Sequence, residues 1–218
     1  MAKKIIRILS MSDQVVDRMY SPHVKTMFSD VDLILSCGDL PYYYLEYILD
    51  TLNVPMYFVH GNHDPLVEIG MQVERKQPWG GENIHQKVIE HLGVIIVGFE
   101  GSIRYSNDMH QYTQLEVWFQ VLKKVPRLLW NRVWNGRYLD ILLTHSPALG
   151  LGDGEDPAHI GFRAYRWLIK VFRPRYHLHG HVHLYDRNDR KPLEFYRTTI
   201  LNVSSFHLLE IVVGEKNE

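Results

Sequence analysis

The sequence predicts an α/β fold, and two observations carry this prediction. Short runs rich in β-branched and aromatic residues recur along the chain, separated by longer segments of helical or loop character. Hydrophobic residues make up 45% of the 218 residues, as in an ordinary globular core. No repeat or Gly/Ser-rich linker divides the chain, and the closing strands need the earlier ones as partners. We therefore expect a single domain over residues 1–218.

The predicted strands are apolar runs bounded by polar or turn-forming residues. They are KIIRILSMS (4–12), VDLILSC (31–37), PMYFVHG (55–61), KVIEHLG (87–93), VIIVGFE (94–100), YLDILLTH (138–145), RYHLHGH (175–181), LEFYR (193–197), TTILNV (198–203) and FHLLEIVV (206–213). Helices are predicted over 18–28, 43–52 and 161–172. A further amphipathic stripe with helical spacing, which we interpret as core packing, consists of Leu115, Trp118, Phe119 and Leu122.

Composition and charge narrow the classes of function. A formal charge of −1 and a pI near 6.9 give no overall attraction for nucleic acid or anionic lipid, although they leave room for a local basic patch. No stretch approaches the roughly 18 apolar residues that span a bilayer, and the N-terminus has no secretion signal. The single cysteine, Cys37, lies inside an apolar run, so we expect a core thiol in a cytoplasmic protein with no membrane partner.

Polar residues of one chemical kind follow the carboxyl ends of several predicted strands, where ligand sites collect in open α/β sheets. These positions are Asp13, Gly38-Asp39, the GNHD run at 61–64, His145 and the GHVH run at 180–183. Carboxylates and imidazoles together suit first-row divalent ions, and the absence of neighbouring cysteines argues against a structural zinc site. The sequence therefore predicts a metal site at this edge.

The run YHLHGHVHL at 176–184 places histidine at every second residue. In an extended strand all four rings would point the same way, which fits either a metal site or an ordinary strand with hydrogen-bonded histidines. Gly180 predicts a turn that separates His177 and His179 from His181 and His183. We interpret the first two as strand residues, with His179 a candidate to orient a ligand.

In these motifs the chain resembles the calcineurin-like metallophosphoesterases. The family's order is D-x-H, G-D, G-N-H-D/E, a lone H and G-H-x-H, and here the motifs stand as S-D-Q-V, C-G-D-L, H-G-N-H-D, T-H-S and G-H-V-H. The resemblance implies a sandwich of two packed mixed β-sheets flanked by helices. It also implies that Asp39 bridges two metal ions, that Asn62, His145 and His181 hold the second ion, and that Asp13 and His183 hold the first. His63 would be the general acid or a substrate contact, with Asp64 orienting its ring.

The first motif departs from the family, because Val15 stands where the family has histidine. Valine cannot bind a metal, so we expect two unequal sites, the first weaker and richer in water. Gln14 and His23 are the alternatives that would replace the missing ligand, and we interpret both as surface residues. Manganese is the expected metal, with Fe, Zn, Co, Ni or Mg as alternatives.

The function expected from this resemblance is hydrolysis of a phosphate ester, most simply a phosphodiester, by metal-activated hydroxide. The alternatives are a non-catalytic scaffold of the same fold and a nuclease. The nuclease alternative rests on a basic strip with aromatics, which we interpret instead as a solvated helix face: Lys123, Lys124, Arg127, Arg132 and Arg137 with Trp130 and Trp134. The candidate substrate contacts lie on loops or a helix start near the predicted site, and they are Tyr42, Arg104, His159 and Arg163.

Overall fold

The structure is a computed structural model that describes residues 4–70, 73–106, 108–183 and 191–214. The strands of the first large sheet are β1 (Lys4–Ser12), β2 (Leu33–Ser36), β3 (Met56–Phe58), β6 (Gly81–Asn83) and β15 (Ser205–Val213). Their spatial order is β15-β1-β2-β3-β6, with β15 antiparallel to β1 and the other neighbours parallel.

The second large sheet is also mixed. Its strands are β7 (Val88–His91), β8 (Val94–Phe99), β11 (Ile141–Thr144), β12 (Tyr176–His179), β13 (Leu193–Phe195) and β14 (Thr198–Asn202). In the order β13-β14-β12-β11-β8-β7, the four central strands are parallel and the two edge strands run antiparallel to them. The remaining described strands form two small sheets of two strands each. One pairs β4 (Glu68–Gly70) with β5 (Val73–Arg75), and the other pairs β9 (Ser102–Ile103) with β10 (Gln111–Tyr112).

The helices are α1 (His23–Met27), α2 (Tyr42–Leu52), α3 (Gln114–Leu122), α4 (Val125–Asn135) and α5 (Arg163–Phe172). Capping side chains or a left-handed residue mark the ends of several of these helices. A capping box of Thr113 and Glu116 begins α3, and the Glu68 carboxylate accepts the first backbone N–H groups of α2. Arg173, in the left-handed region, ends α5 just before Pro174.

The two large sheets pack face to face with helices on both outer faces. Alternate residues of each strand point to opposite sides, so Ile6 and Ile8 of β1 join the core between the sheets. Leu9 and Met11 of the same strand pack in the cluster that holds α1 and α2. On the second sheet the outer cluster contains residues of α3, α4 and α5. The predicted sandwich of two mixed sheets flanked by helices is therefore confirmed.

The strand ends of each sheet are in register. Met11 of β1 is opposite Ser36 of β2, and Ser36 is opposite Phe58 of β3, so these strands end at one level. In the second sheet Thr144 of β11 is opposite Phe99 of β8. The segments that follow these ends therefore leave the two sheets along one edge of the sandwich.

Two expectations about helices differ from the structure. Residues before His23 form turns, so α1 is shorter than the predicted helix over 18–28. In α3 the predicted core stripe is largely exposed at Leu115, Phe119 and Leu122, and Val117 and Val121 are buried in its place. Periodicity alone finds an amphipathic helix but not which of its apolar residues meet the core. In the described ranges no helix is both long and apolar enough to span a bilayer.

Candidate metal centre

The strand ends of both sheets bring a carboxylate from each of two strands and an imidazole to one place. Asp13 follows β1, Asp39 follows β2 and His145 follows β11, and one ligand atom from each lies within 4.8 Å of the other two. Asn62, from the loop after β3, joins them: its Oδ1 is 2.9 Å from His145 Nε2. Residues that are far apart in the chain are therefore gathered as the sequence predicted.

Several of these side chains are oriented by a backbone in the left-handed conformation. Asp13, Asp39 and His181 all have positive φ, at 62°, 57° and 67°. Around Asp13 the N–H of Gln14 bonds the carbonyl of Ser12, and around His181 the N–H of Val182 bonds the carbonyl of Gly180. These are tight three-residue turns of the rare positive-φ kind, which are strained. Strain of this sort persists where the surrounding structure holds it and gathers at functional sites.

Two glycines let the strand ends approach. A Cβ on Gly61 would lie 2.0 Å from Asp39 Oδ1, and a Cβ on Gly180 would lie 2.3 Å from Asp13 Oδ2. Both distances are far shorter than any non-bonded contact of a real side chain. Because Gly180 ends β12, the predicted separation of the histidine run is confirmed: His177 and His179 are buried strand residues, and His181 turns toward the cluster.

The orientation of His145 suits a metal ligand. Its Nδ1 lies 2.8 Å from the carbonyl oxygen of Cys37 and donates its proton there, so the lone pair of a neutral ring is on Nε2. That nitrogen faces Asn62 Oδ1 and, at 3.3 Å, Asp39 Oδ2. In this neutral form of the ring, all three atoms are electron-pair donors. The residues present therefore fit a divalent cation bound at this point.

His181 is oriented in a related way. Its Nε2 donates to the carbonyl of Ala158 at 2.8 Å, leaving the lone pair on Nδ1. Its backbone N–H donates to the Asp13 carboxylate at 3.0 Å, and its ring centroid is 4.9 Å from that of His145. Burial, with the neighbouring charge of His145, lowers the pKa of His181 to about 3. The ring is therefore neutral and available to bind a cation.

The electrostatics of the cluster are those of a site that attracts positive charge. Burial by itself disfavours a charged His145, but the Asp39 carboxylate outweighs it and raises the His145 pKa to about 9. Burial likewise opposes charge on Asp39, yet His145 and the N–H of His63 bring its pKa down to about 2. Without a metal, the imidazolium of His145 thus supplies the cation that the carboxylates require.

His63 and Asp64 have different surroundings. The backbone N–H of His63 donates to Asp39 Oδ1 at 2.8 Å, and its side chain is exposed. The Asp64 carboxylate accepts the Gly61 N–H at 2.8 Å and lies 3.5 Å from His60 Nδ1. Asp64 thus contacts the turn and His60, whereas the sequence predicted a contact with the ring of His63.

The residues near Val15, in the first motif that differs from the family pattern, lie at or near the surface. Val15 is 41% exposed, Gln14 is half-buried and His23 is exposed at the start of α1. His183, the remaining predicted ligand of the first ion, is also exposed. The buried part of the cluster therefore belongs to the predicted second site, with Asp13 and Asp39 at its edge.

The candidate substrate contacts have varied positions. Tyr42 is 1% exposed, and its hydroxyl donates to the Pro65 carbonyl, so it packs in the interior instead of lining an open mouth. The Arg104 guanidinium pairs with Glu116 at 3.1 Å. Arg163 is exposed at the start of α5. His159, which pairs with Asp156, has its ring centroid 4.9 Å from that of His181 and is the candidate nearest the cluster.

Tyr105 is a site residue that the sequence reasoning missed. Its hydroxyl accepts a hydrogen bond from Asn62 Nδ2 at 3.0 Å, and 42% of the residue is exposed. The backbone N–H groups of Tyr105 and Ser106 are held by the buried Gln111 side chain. The only signal in the sequence is its place in the loop after β8, beside Arg104, because no motif marks it.

A buried ionic pair anchors the same loop. His110 Nδ1 is 3.2 Å from the Glu100 carboxylate, which also accepts the Tyr112 hydroxyl. Burial opposes charge on Glu100, but its hydrogen bond with His110 leads the interactions that lower its pKa to about 2. The His110 ring stacks on His60 with centroids 4.7 Å apart. The loop that carries Tyr105 is thus tied to the turn that carries Asn62.

Comparison with known proteins agrees with this geometry. Residues 9–185 match the family model described as calcineurin-like phosphoesterase. One crystal structure is similar with a TM-score of 0.66 at 15% identity, covering 95% of each chain. The crystal structure of TT1561 of Thermus thermophilus has a TM-score of 0.61 at 15% identity, covering 93% of this chain and 90% of that chain. No curated protein sequence matches the chain significantly.

Proposed function

The chain belongs to the calcineurin-like phosphoesterase family, and from this premise we propose that it is a metal-dependent hydrolase of phosphate esters, with phosphodiesters as the preferred class. The observation that carries the proposal is the convergence of Asp39 Oδ2, Asn62 Oδ1 and His145 Nε2, three atoms that can each offer an electron pair to a cation. Such a donor set is costly to bury unless a cation completes it.

We assign the ligands as the motifs predict. Asp39 would serve both ions, with Asn62, His145 and His181 on the second, and Asp13 and His183 on the first. The side-chain orientations of His145 and His181, each set by a backbone carbonyl, support this assignment. When bound, two divalent ions offset the charge on the phosphoryl oxygens and make a water molecule acidic.

His63 would then donate a proton to the leaving oxygen. Its backbone is fixed against Asp39 by a 2.8 Å hydrogen bond, whereas its ring is exposed beside the cluster and can reach a substrate. Asp64 would act through the turn that it closes at Gly61. General acid catalysis of this kind contributes about 10²–10⁴-fold to the rate.

A diester fits the charge of the surroundings better than a monoester. A phosphate monoester carries a second negative charge, which an arginine side chain would stabilise best. Arg104, on the loop that reaches Asn62, is already engaged by Glu116 and by the carbonyl of Gln111. A singly charged diester needs no further cation.

The test is hydrolysis of bis(4-nitrophenyl) phosphate and 4-nitrophenyl phosphate with manganese, with and without chelator. We expect faster cleavage of the diester, loss of activity with chelator and recovery on adding metal. Asp39→Asn should lose bound metal and activity together, whereas His63→Gln should keep its metal and lose turnover; Asp50→Asn, at an exposed position, is the matched control.

The outcomes separate the alternatives. A metal-loaded protein that cleaves neither ester would overturn the enzymatic proposal in favour of a scaffold. Faster cleavage of the monoester would leave the hydrolase in place and make the diester preference wrong. Full metal content in Asp39→Asn would make the ligand assignment wrong.

A further inference from the structure

Helices α3 and α4 expose an apolar face that the proposed catalytic site does not use. On α4, Val133 is 79% exposed and Trp134 is 77% exposed, and Leu129 and Trp130 lie on the same side one turn earlier. On α3, the exposed apolar residues at i, i+4 and i+7 are Leu115, Phe119 and Leu122. Exposed apolar residues concentrated on consecutive helices in this way indicate a site of interaction.

The charge beside this face is positive. Lys123 and Lys124 join the two helices and Arg127 follows on α4. Between residues 114 and 137 the single carboxylate is Glu116, and Arg104 neutralises it. One further carboxylate, Glu90 of β7, lies at the end of α4 and contacts Asn135. The chain as a whole has a formal charge of −1, so this basic concentration is local.

In place of the sequence-based expectation of no membrane partner, we propose that the exposed face of α3 and α4 docks on an anionic phospholipid bilayer and lies in its interface. Tryptophan prefers this interface, where its ring meets acyl chains and its N–H stays hydrated. Lysine and arginine beside an apolar helix face add attraction to anionic headgroups. The α4 helix, at 11 residues, is far too short to span a bilayer, so the contact is peripheral.

One end of this face lies away from the metal centre. Asn135, the last residue of α4, contacts Glu90 of β7, and the chain then enters β11 at Ile141. The metal ligand His145 follows the other end of β11. The C-terminal end of α4 therefore lies toward the edge of the sandwich opposite the one where Asp39 and His145 meet.

A nucleic-acid surface fits the same residues less well. Arg132 is turned toward the Gly136 carbonyl and the Tyr138 ring, and Arg137 is held by the buried Asp140. Fewer cations are left to contact phosphates than the sequence suggests. The exposed Leu129 and Val133 have no role in stacking on bases, whereas acyl chains would bury them.

The experiment is co-sedimentation of the full chain with vesicles of phosphatidylcholine, with and without phosphatidylserine. We expect binding to the vesicles that contain phosphatidylserine, weakened at least about tenfold by the double variant Trp130→Ser/Trp134→Ser. Lys123→Gln and Arg127→Gln should each weaken it about fivefold. Val133→Ser should also weaken binding, whereas Ile69→Ser, at a position 76% exposed on β4, is the matched control and should not.

Three results would overturn the inference. The first is absence of binding to either vesicle by a chain with native circular dichroism. The second is a dimer, seen in sedimentation velocity, that the tryptophan variant abolishes, since the face would then belong to a second copy. The third is salt-sensitive binding of single-stranded DNA or RNA that the same variant removes while vesicles remain unbound. Hydrolysis of small phosphate esters is independent of all three.

Discussion

The hydroxyl of Tyr105 lies 3.0 Å from Nδ2 of Asn62 and accepts its hydrogen bond. Because the amide nitrogen is engaged there, the amide oxygen points the other way, to His145 Nε2 at 2.9 Å. A tyrosine outside the recognised motifs therefore orients Asn62 so that its oxygen faces the candidate metal centre. A partner that orients a ligand in this way typically contributes 10- to 100-fold to metal affinity.

Tyr105→Phe is therefore expected to weaken binding of the tighter ion by about 10- to 100-fold while leaving the fold intact. Calorimetric titration of the metal-free protein with manganese measures this, and it needs no assay of activity. Tyr196→Phe, at an exposed position on another loop, is the control. An affinity equal to that of the natural protein would show that Asn62 is oriented without Tyr105.

Val15→His tests the predicted inequality of the two metal sites. The first ion would have Asp13, Asp39 and His183 as protein ligands, and the tight turn at Asp13 comes just before position 15. We expect the natural protein to retain one ion through purification and to bind a second weakly, and the new imidazole to tighten the weaker site. Metal analysis and titration measure both, with Ile69→His as control. Two equally tight ions in the natural protein would contradict the prediction.

Gly180→Ala is expected to lower the free energy of unfolding by about 1–3 kcal/mol, the usual cost of overpacking. The added methyl would lie 2.1 Å from Ser12 Oγ and 2.3 Å from Asp13 Oδ2, so the end of β12 must move from the end of β1. Gly70→Ala is the matched control, because the nearest atom to its Cβ would be 3.8 Å away. Urea unfolding of both variants measures the difference, and equal stabilities would show that the strand ends adjust freely.

Because of the buried His177 ring, we expect the free energy of unfolding to fall in acid. Its Nε2 contacts the Thr144 hydroxyl, which donates to the Ser146 carbonyl, so the ring donates from Nε2 and its buried Nδ1 has no partner among the described residues. Burial, with a smaller effect from His179, puts the pKa of His177 well below its ordinary value of 6.5. Below that pH the unfolded chain takes up a proton that the folded chain refuses, and unfolding becomes easier.

His177→Phe should therefore reduce the dependence of unfolding free energy on pH below about 6.5, by up to about 1.4 kcal/mol per pH unit. Above that range the ring is neutral in both states and adds no slope. Urea unfolding in chelator between about pH 4.5 and 7.5 measures the slope. Thr144→Val, which keeps the imidazole, should retain the natural slope. An unchanged slope in His177→Phe would mean that the folded protein can protonate this ring.

Much of the fold could be predicted from local patterns. The run KIIRILSMS coincides with β1, and the other predicted apolar runs each contain a strand. A short apolar run rich in β-branched residues indicates a buried strand when its length and its flanking residues agree, and glycine and proline mark its ends. The candidate metal motifs could be located for the same reason, since each lies within a few residues of the end of a strand. The extent of a single domain and the roles of the individual site residues stay predictions.

Tertiary structure decided which of these local features meet. Tyr42 is buried and donates to the Pro65 carbonyl, although the sequence made it a candidate substrate contact. Leu115, Phe119 and Leu122 of α3 are exposed, although the sequence predicted a core stripe. Tyr105 reaches Asn62 across 43 positions of the chain. The spacing of side chains along an element is set by its own backbone, but the partners of each side chain are set by how the sheets and helices pack against one another. That packing sums many weak contacts between distant residues, so no local pattern contains it.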